Sequence, residues 1–334
     1  MEHLSQEVSL TLFPKKQDDV PTPPPLPAQS PVVVSGSIQF DMPSRISGRT
    51  YRIFVFKPAA PPPPSGYPGV VLTDGNLSFP LAATMDAAFA LGGGKAALVV
   101  GVGYATDDPL KLVSLRTRDL TPPTPLSGIP HRPGQPPINL EDYGGSENFY
   151  RFLIEELRPT ISSAYSINDA DQTLYGHSWG GLFTLNVLFN HPGSFRNFVA
   201  SSPSIWWNKS SVLNDEPGFV GTVRAKEAAP RVLIMVGSKE QDVPATLLPS
   251  MTSALRKKIP VVPSAVRNMI GRIVVKKMML DYGMVDNARE LAARLQQIKG
   301  GPGYVVRFHA FEDEDHLTAL PASISRALAF ALRP

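Results

Sequence analysis

The chain has no cysteine among its 334 residues. That excludes disulfides, a thiol nucleophile and thiolate metal sites. It also lacks any apolar run near the roughly 18 residues needed to span a bilayer. Charge of one sign is missing too, with 32 Lys and Arg against 29 Asp and Glu, so nothing demands a nucleic-acid partner. The N-terminus, MEHLSQEVSLTLFPKK, has no basic stretch leading into an apolar core and a small-residue cleavage site, so it does not read as a secretory leader. A soluble, cytoplasmic protein is expected (periplasmic if a leader has been removed). Membrane contact is not expected.

Apolar residues make up 43% of the chain, enough for a large core. Proline is abundant and clustered. Residues 1–31 read as a Pro-rich tail, because the 21–31 stretch can neither pack nor pair as strand. Residues 32–334 read as one domain. VVVSGSIQFDMPS and RTYRIFVFKPA flank a polar turn and predict a hairpin. GVVLTDGN, KAALVVGVGY, QTLYG, FRNFVASSPS, RVLIMVGS and GYVVRFHAF are unbroken apolar runs, and segments of helical spacing separate them. One such segment is expected from about Leu81 to Leu91. Strands of this kind alternating with helices argue for an α/β fold: a mostly parallel central sheet, helices on both faces and an N-terminal antiparallel hairpin.

The chemistry concentrates in TLYGHSWGGLFTLNVL. A strand, then Gly176-His177-Ser178-Trp179-Gly180, then a helix is the pattern of a nucleophile elbow. Glycines two residues either side of the serine let strand and helix approach while the hydroxyl stands clear. Such a serine needs a base, and the base needs an orienting acid. His191 falls at the end of the elbow's own helix and His309 inside the last strand. His316, in the loop AFEDEDHLTALP, is the candidate base. Its neighbours Asp313, Glu314 and Asp315 read as a solvated loop. The acid is expected after RVLIMVGS, with Glu240 preferred and Asp242 the alternative. The oxyanion amides are assigned to Trp179 and, in the TDGN loop, to Asn76 in preference to Gly75. Asp74, His177, Trp206, Trp207 and Arg116 are candidate substrate contacts. The blander alternatives are a turn former for Asp74, core packing for the tryptophans and pairing of Arg116 with Asp119 or another loop carboxylate. The Pro-rich stretch from Thr121 to Pro137 is a candidate rim of the site. Neither a metal nor a cofactor is needed for this chemistry, and the expected partner is a small-molecule ester.

YGHSWGGLF, ASSPSIWWN, VGVGY, RTRDLTP, GGSENFYRFLIEELRPTI, VGSKEQD and DEDHLTALPASISRAL, in that family's arrangement, resemble the putative-esterase (esterase D-like) branch of the α/β-hydrolases. The similarity spans roughly Gly36 to Leu332 and is greatest to hydrolases allied with the siderophore esterases. The resemblance implies an α/β-hydrolase fold and a serine, glutamate and histidine triad at Ser178, Glu240 and His316. It also implies a second oxyanion amide at Asn76. Some siderophore esterases work with serine and histidine alone, which leaves Glu240 the least secure. The expected activity is hydrolysis of carboxylic esters through an acyl-enzyme, on a siderophore-type lactone. Acyl transfer of the mycolyltransferase type and general short-chain carboxylesterase activity are the alternatives. The departure from the family lies at about 243–280, which carries seven Lys or Arg and no acid. It reads as a cap or a packed insertion.

Overall fold

The computed structural model describes residues 30–129, 138–242, 253, 256 and 261–333. Val34–Pro334 form one compact unit. Residues 1–29 of the expected Pro-rich tail, 130–137 of the expected rim and all of 243–260 in the basic insertion except 253 and 256 lie outside the described residues.

Eight strands form one sheet in the order β1-β2-β4-β3-β5-β6-β7-β8. They are β1 (Ser37–Pro43), β2 (Thr50–Phe56), β3 (Tyr67–Leu72), β4 (Leu98–Tyr104), β5 (Ile167–His177), β6 (Asn197–Ser201), β7 (Arg231–Gly237) and β8 (Val305–Phe311). β1 and β2 pair antiparallel, as do β2 and β4. From β4 onward every neighbouring pair is parallel. This is the expected α/β-hydrolase sheet. The first strand is shorter than the apolar run suggested. Val32 and Val33 are exposed, and Gly36, at φ 80°, turns the chain so that Ser37 N–H reaches back to Val34 O.

The unbroken apolar strands are explained by two cores. Along β7, Val232, Ile234 and Val236 face one of them, while Leu233 and Met235 face the other. α1 (Gly75–Leu91) and the C-terminal helix α8 (Ala319–Leu332) cover the second face. The first is covered by a continuous helix α3 over 146–164, whose middle turns are π-helical, and by α4 (Trp179–Asn190), α5 (Glu216–Arg224) and α7 (Met284–Gln296). Two further helices are α2 (Pro109–Leu120) and α6 (Ser264–Tyr282). α1 starts six residues before the expected Leu81. Pro80 argues for a later start, because it removes the N–H that would reach Asn76 O, yet α1 runs on from Gly75 with Asp74 at its N-cap position and no side-chain cap hydrogen bond. Among the described residues, no helix is long and apolar enough to cross a membrane.

One polar group in the second core works against stability. Asp86 in α1 is fully buried. Its Oδ1 accepts the Ala97 N–H at 3.0 Å, while its Oδ2 has no partner. Burial pushes its pKa up to about 7 from 3.8. The folded chain therefore binds this proton more tightly than the unfolded chain. Stability falls as pH rises from about 4 through about 7, by up to about 1.4 kcal/mol per pH unit. Asp86→Asn is expected to raise the thermal midpoint by clearly more at pH 8.5 than at pH 5. Equal shifts at both pH values, measured by thermal denaturation, would contradict a charge origin.

Candidate active site

β5 ends at His177 and α4 begins at Trp179, leaving Ser178 alone in the turn with φ 61° and ψ −117°. L residues rarely adopt that conformation. The flanking glycines are required by space. A Cβ on Gly176 would lie 2.0 Å from Gly180 O, and one on Gly180 would lie 2.2 Å from Thr73 Oγ1. The serine's own backbone is tied on both sides. Its N–H donates to Ser201 O at 2.9 Å, and its carbonyl accepts from Leu182 at 3.0 Å and Ser204 at 3.2 Å. The Trp179 amide, at the first position of α4, has no acceptor within the helix.

His316 lies in the turn between β8 and α8. Its Nε2 is 2.9 Å from Ser178 Oγ, and its Nδ1 is 2.7 Å from Glu240 Oε2. Glu240 follows β7 with its side chain fully buried. Its other oxygen accepts the Gly237 N–H at 2.7 Å and the Ser202 hydroxyl. Asp242 is exposed. The acidic residues beside His316 organise the turn rather than touch the imidazole. Asp313 pairs with Lys239 at 2.7 Å. Asp315 accepts the Leu317 and Thr318 amides, and bonding to Thr318 holds its carboxyl below the usual range.

His177 packs its ring against that of His316, with centroids 4.8 Å apart, and its Nδ1 is 3.0 Å from Ser201 Oγ. Burial first, then the neighbouring His316 and Arg116, push its pKa far down. It is a neutral ring behind the base, not a wall of the cleft. Asn76, second in α1, brackets the end of β4. Its Nδ2 donates to Tyr104 O at 3.0 Å and its Oδ1 accepts Tyr104 N–H at 2.8 Å. Its own amide belongs to the first helical turn and lacks an intrahelical acceptor.

A cleft of about 440 Å³ opens over Ser178 and His316. Of the expected substrate contacts, Arg116 and Trp206 line it, while Asp74, His177 and Trp207 do not. Asp74 takes Arg116 in a two-pronged pair at 2.7 and 2.8 Å, and the guanidinium lies 5.1 Å from the Trp179 ring centroid. Asp119 faces Tyr104 and Arg49 instead, and burial raises its pKa to about 6. Trp207 is buried and donates to Thr124 Oγ1 at 2.9 Å. Trp206 stacks on Tyr282 with centroids 4.0 Å apart and an interplanar angle of 12°.

Met279, at the end of the basic insertion, and Tyr282, just beyond it, reach the cleft from α6. Sequence reasoning named neither of them, nor Ser202. The only signal for Tyr282 was an aromatic residue before a glycine just past the insertion. Ser202 carried none beyond its place in ASSPS.

Residues 134–261 match the family described as "Putative esterase". The ferri-bacillibactin esterase BesA of Bacillus subtilis is 36% identical over 300 residues, 88% of each chain. The siderophore triacetylfusarinine C esterase of Aspergillus fumigatus is 30% identical over 78% of this chain and 80% of its own. Among solved structures, the BES protein from Bacillus cereus superposes with a TM-score of 0.73 at 30% identity, covering 92% of this chain and 100% of that one. The siderophore hydrolase EstA from Aspergillus nidulans gives 0.70 at 27% identity, covering 91% and 97%.

The close approach at the elbow is directly testable. Gly176→Ala is expected to cost roughly 3 kcal/mol or more, because backbone rather than a flexible side chain meets the new methyl. Unchanged thermal unfolding of that variant would contradict the geometry.

Proposed function

This chain belongs to the putative esterase family and is an ester hydrolase, and on that premise we propose that it works through a serine acyl-enzyme. The observation that carries this reading is the continuous relay from Ser178 Oγ through His316 to a buried Glu240, at 2.9 and 2.7 Å, opening onto one cleft.

Each part of the relay has a task. Ser178 Oγ attacks the ester carbonyl carbon as His316 Nε2 takes its proton. Glu240 accepts the Nδ1–H, which fixes the tautomer and stabilises the imidazolium. The developing oxyanion is met by the Trp179 and Asn76 amides, at the N-termini of α4 and α1, where two helix dipoles favour negative charge. Collapse expels the alcohol with the proton from His316. Water then attacks the acyl-serine by the same route and releases the acid. His177, neutral behind the base, adds no charge to oppose the imidazolium.

The substrate we assign is a siderophore-type ester or lactone. Two observations support it: the relatives named as ferri-bacillibactin and triacetylfusarinine C esterases, and a cleft walled by Trp206 stacked on Tyr282, a surface suited to flat acyl arms. Residues 32–334 act as one hydrolase domain, with α6 walling the cleft.

The test compares the native chain, Ser178→Ala and Glu240→Gln on a p-nitrophenyl ester series and on a catecholate trilactone. Ser178→Ala is expected to lower kcat by roughly 10⁴-fold or more, and Glu240→Gln by roughly 10²- to 10⁴-fold. The trilactone should be turned over far better than simple esters. An active Ser178→Ala variant overturns the mechanism, and activity confined to short simple esters overturns the substrate assignment.

A further inference from the structure

Immediately after β6, Ser202 holds φ at 44° and is fully buried. Glycine is the residue of least strain in that region. A serine there adds one thing that glycine lacks, a hydroxyl, and that hydroxyl donates to Glu240 Oε1. The Ser202 N–H donates to Met235 O on β7 at 2.7 Å, anchoring the residue to the strand that Glu240 follows.

The same turn also holds the nucleophile. Ser201 O accepts the Ser178 amide at 2.9 Å, and Ser204 N–H donates to Ser178 O at 3.2 Å. Pro203 lies so close to α4 that a Cβ on Gly181 would come within 2.9 Å of its Cα. The turn over 201–204 thus holds the nucleophile's backbone at its ends and the acid's carboxylate at its middle.

We propose that Ser202 is a positioning residue for ester hydrolysis, its hydroxyl fixing the rotation of the Glu240 carboxylate so that Oε2 meets His316 Nδ1. The proposal rests on the relay reading of Ser178, His316 and Glu240. The terminal torsion of a glutamate is broad, so a single donor on Oε1, the Gly237 amide, leaves the carboxylate free to turn. A second donor, from the turn after β6, removes that freedom. With Ser202 in place, each carboxylate oxygen has its partners and the imidazole is presented in one tautomer.

The experiment uses Ser202→Ala, Ser202→Gly, Glu240→Gln and the Ser202→Ala/Glu240→Gln double variant of the full chain, with Ser178→Ala as the reference for lost chemistry. Steady-state kinetics on a p-nitrophenyl ester are measured beside thermal unfolding. Both Ser202 variants are expected to lower kcat by about 10- to 100-fold, the size of loss when an outer hydrogen bond to an active-site ligand is removed, with KM nearly unchanged. Ser202→Gly should unfold at a higher temperature than Ser202→Ala, because glycine relieves the backbone while restoring no hydroxyl. In the Glu240→Gln background, Ser202→Ala should cost little more, since the two residues act as a unit.

Recovery of activity in Ser202→Gly together with stability would make the role structural and overturn the proposal. An equal loss from Ser202→Ala with and without Glu240→Gln would overturn it as well. A native rate in Ser202→Ala beside an impaired Glu240→Gln defeats Ser202 alone. A native rate in Glu240→Gln beside a dead Ser178→Ala instead defeats the relay on which the proposal stands.

Discussion

Between Gly176 and Gly180 the chain passes from strand to helix around a serine with positive φ, and neighbours on several sides hold the strain of that turn. β6 accepts its amide, the following turn donates to its carbonyl, and Thr73 fills the space where a side chain on Gly180 would stand. The hydroxyl cannot relax into the helix. It stands above the C-terminal ends of the strands, where the loops carrying His316 and Glu240 also arrive. β3, β5, β6, β7 and β8 are parallel neighbours in register, which brings Asn76, Ser178, Ser202, Glu240 and His316 to one end of the sheet though they span some two-thirds of the chain.

What was legible in the sequence follows from how local each constraint is. The elbow could be read because glycine is itself the constraint, and His316 because the other downstream histidines fall on a helix end and inside a strand. Choosing between Glu240 and Asp242 required three dimensions. A tight turn, with Glu240 N–H bonded to Gly237 O, aims Glu240 inward and leaves Asp242 in solvent. The early start of α1 was hidden by Pro80. The partner of Arg116 was hidden by distance along the chain, since Asp74 lies 42 residues away whereas Asp119 is three positions on. Ser202 and Tyr282 were beyond reach for the same reason: each matters through a contact with an element far off in sequence.

The cleft's charges bear on what it can hold. Arg116 is committed to Asp74 and Lys239 to Asp313, so among the described residues neither cation that lines the cleft stands unpaired. The remaining wall is aromatic and thioether-rich, with Trp179, Trp206, Tyr282, Met279 and Met284. Dispersion and stacking therefore position a substrate here more than pairing with a free cation does. The buried carboxylate of Glu240 is kept at the site by hydrogen bonds from three directions.

The proposed mechanism requires Ser178 to become covalently acylated during turnover. Rapid-quench intact mass spectrometry on an ester with a slowly hydrolysed acyl group is the decisive measurement. A transient adduct with the mass of the acyl fragment is expected, formed in a burst and mapped to the peptide containing Ser178. Turnover without any adduct under conditions where deacylation is slow, or an adduct on a different residue, would contradict it.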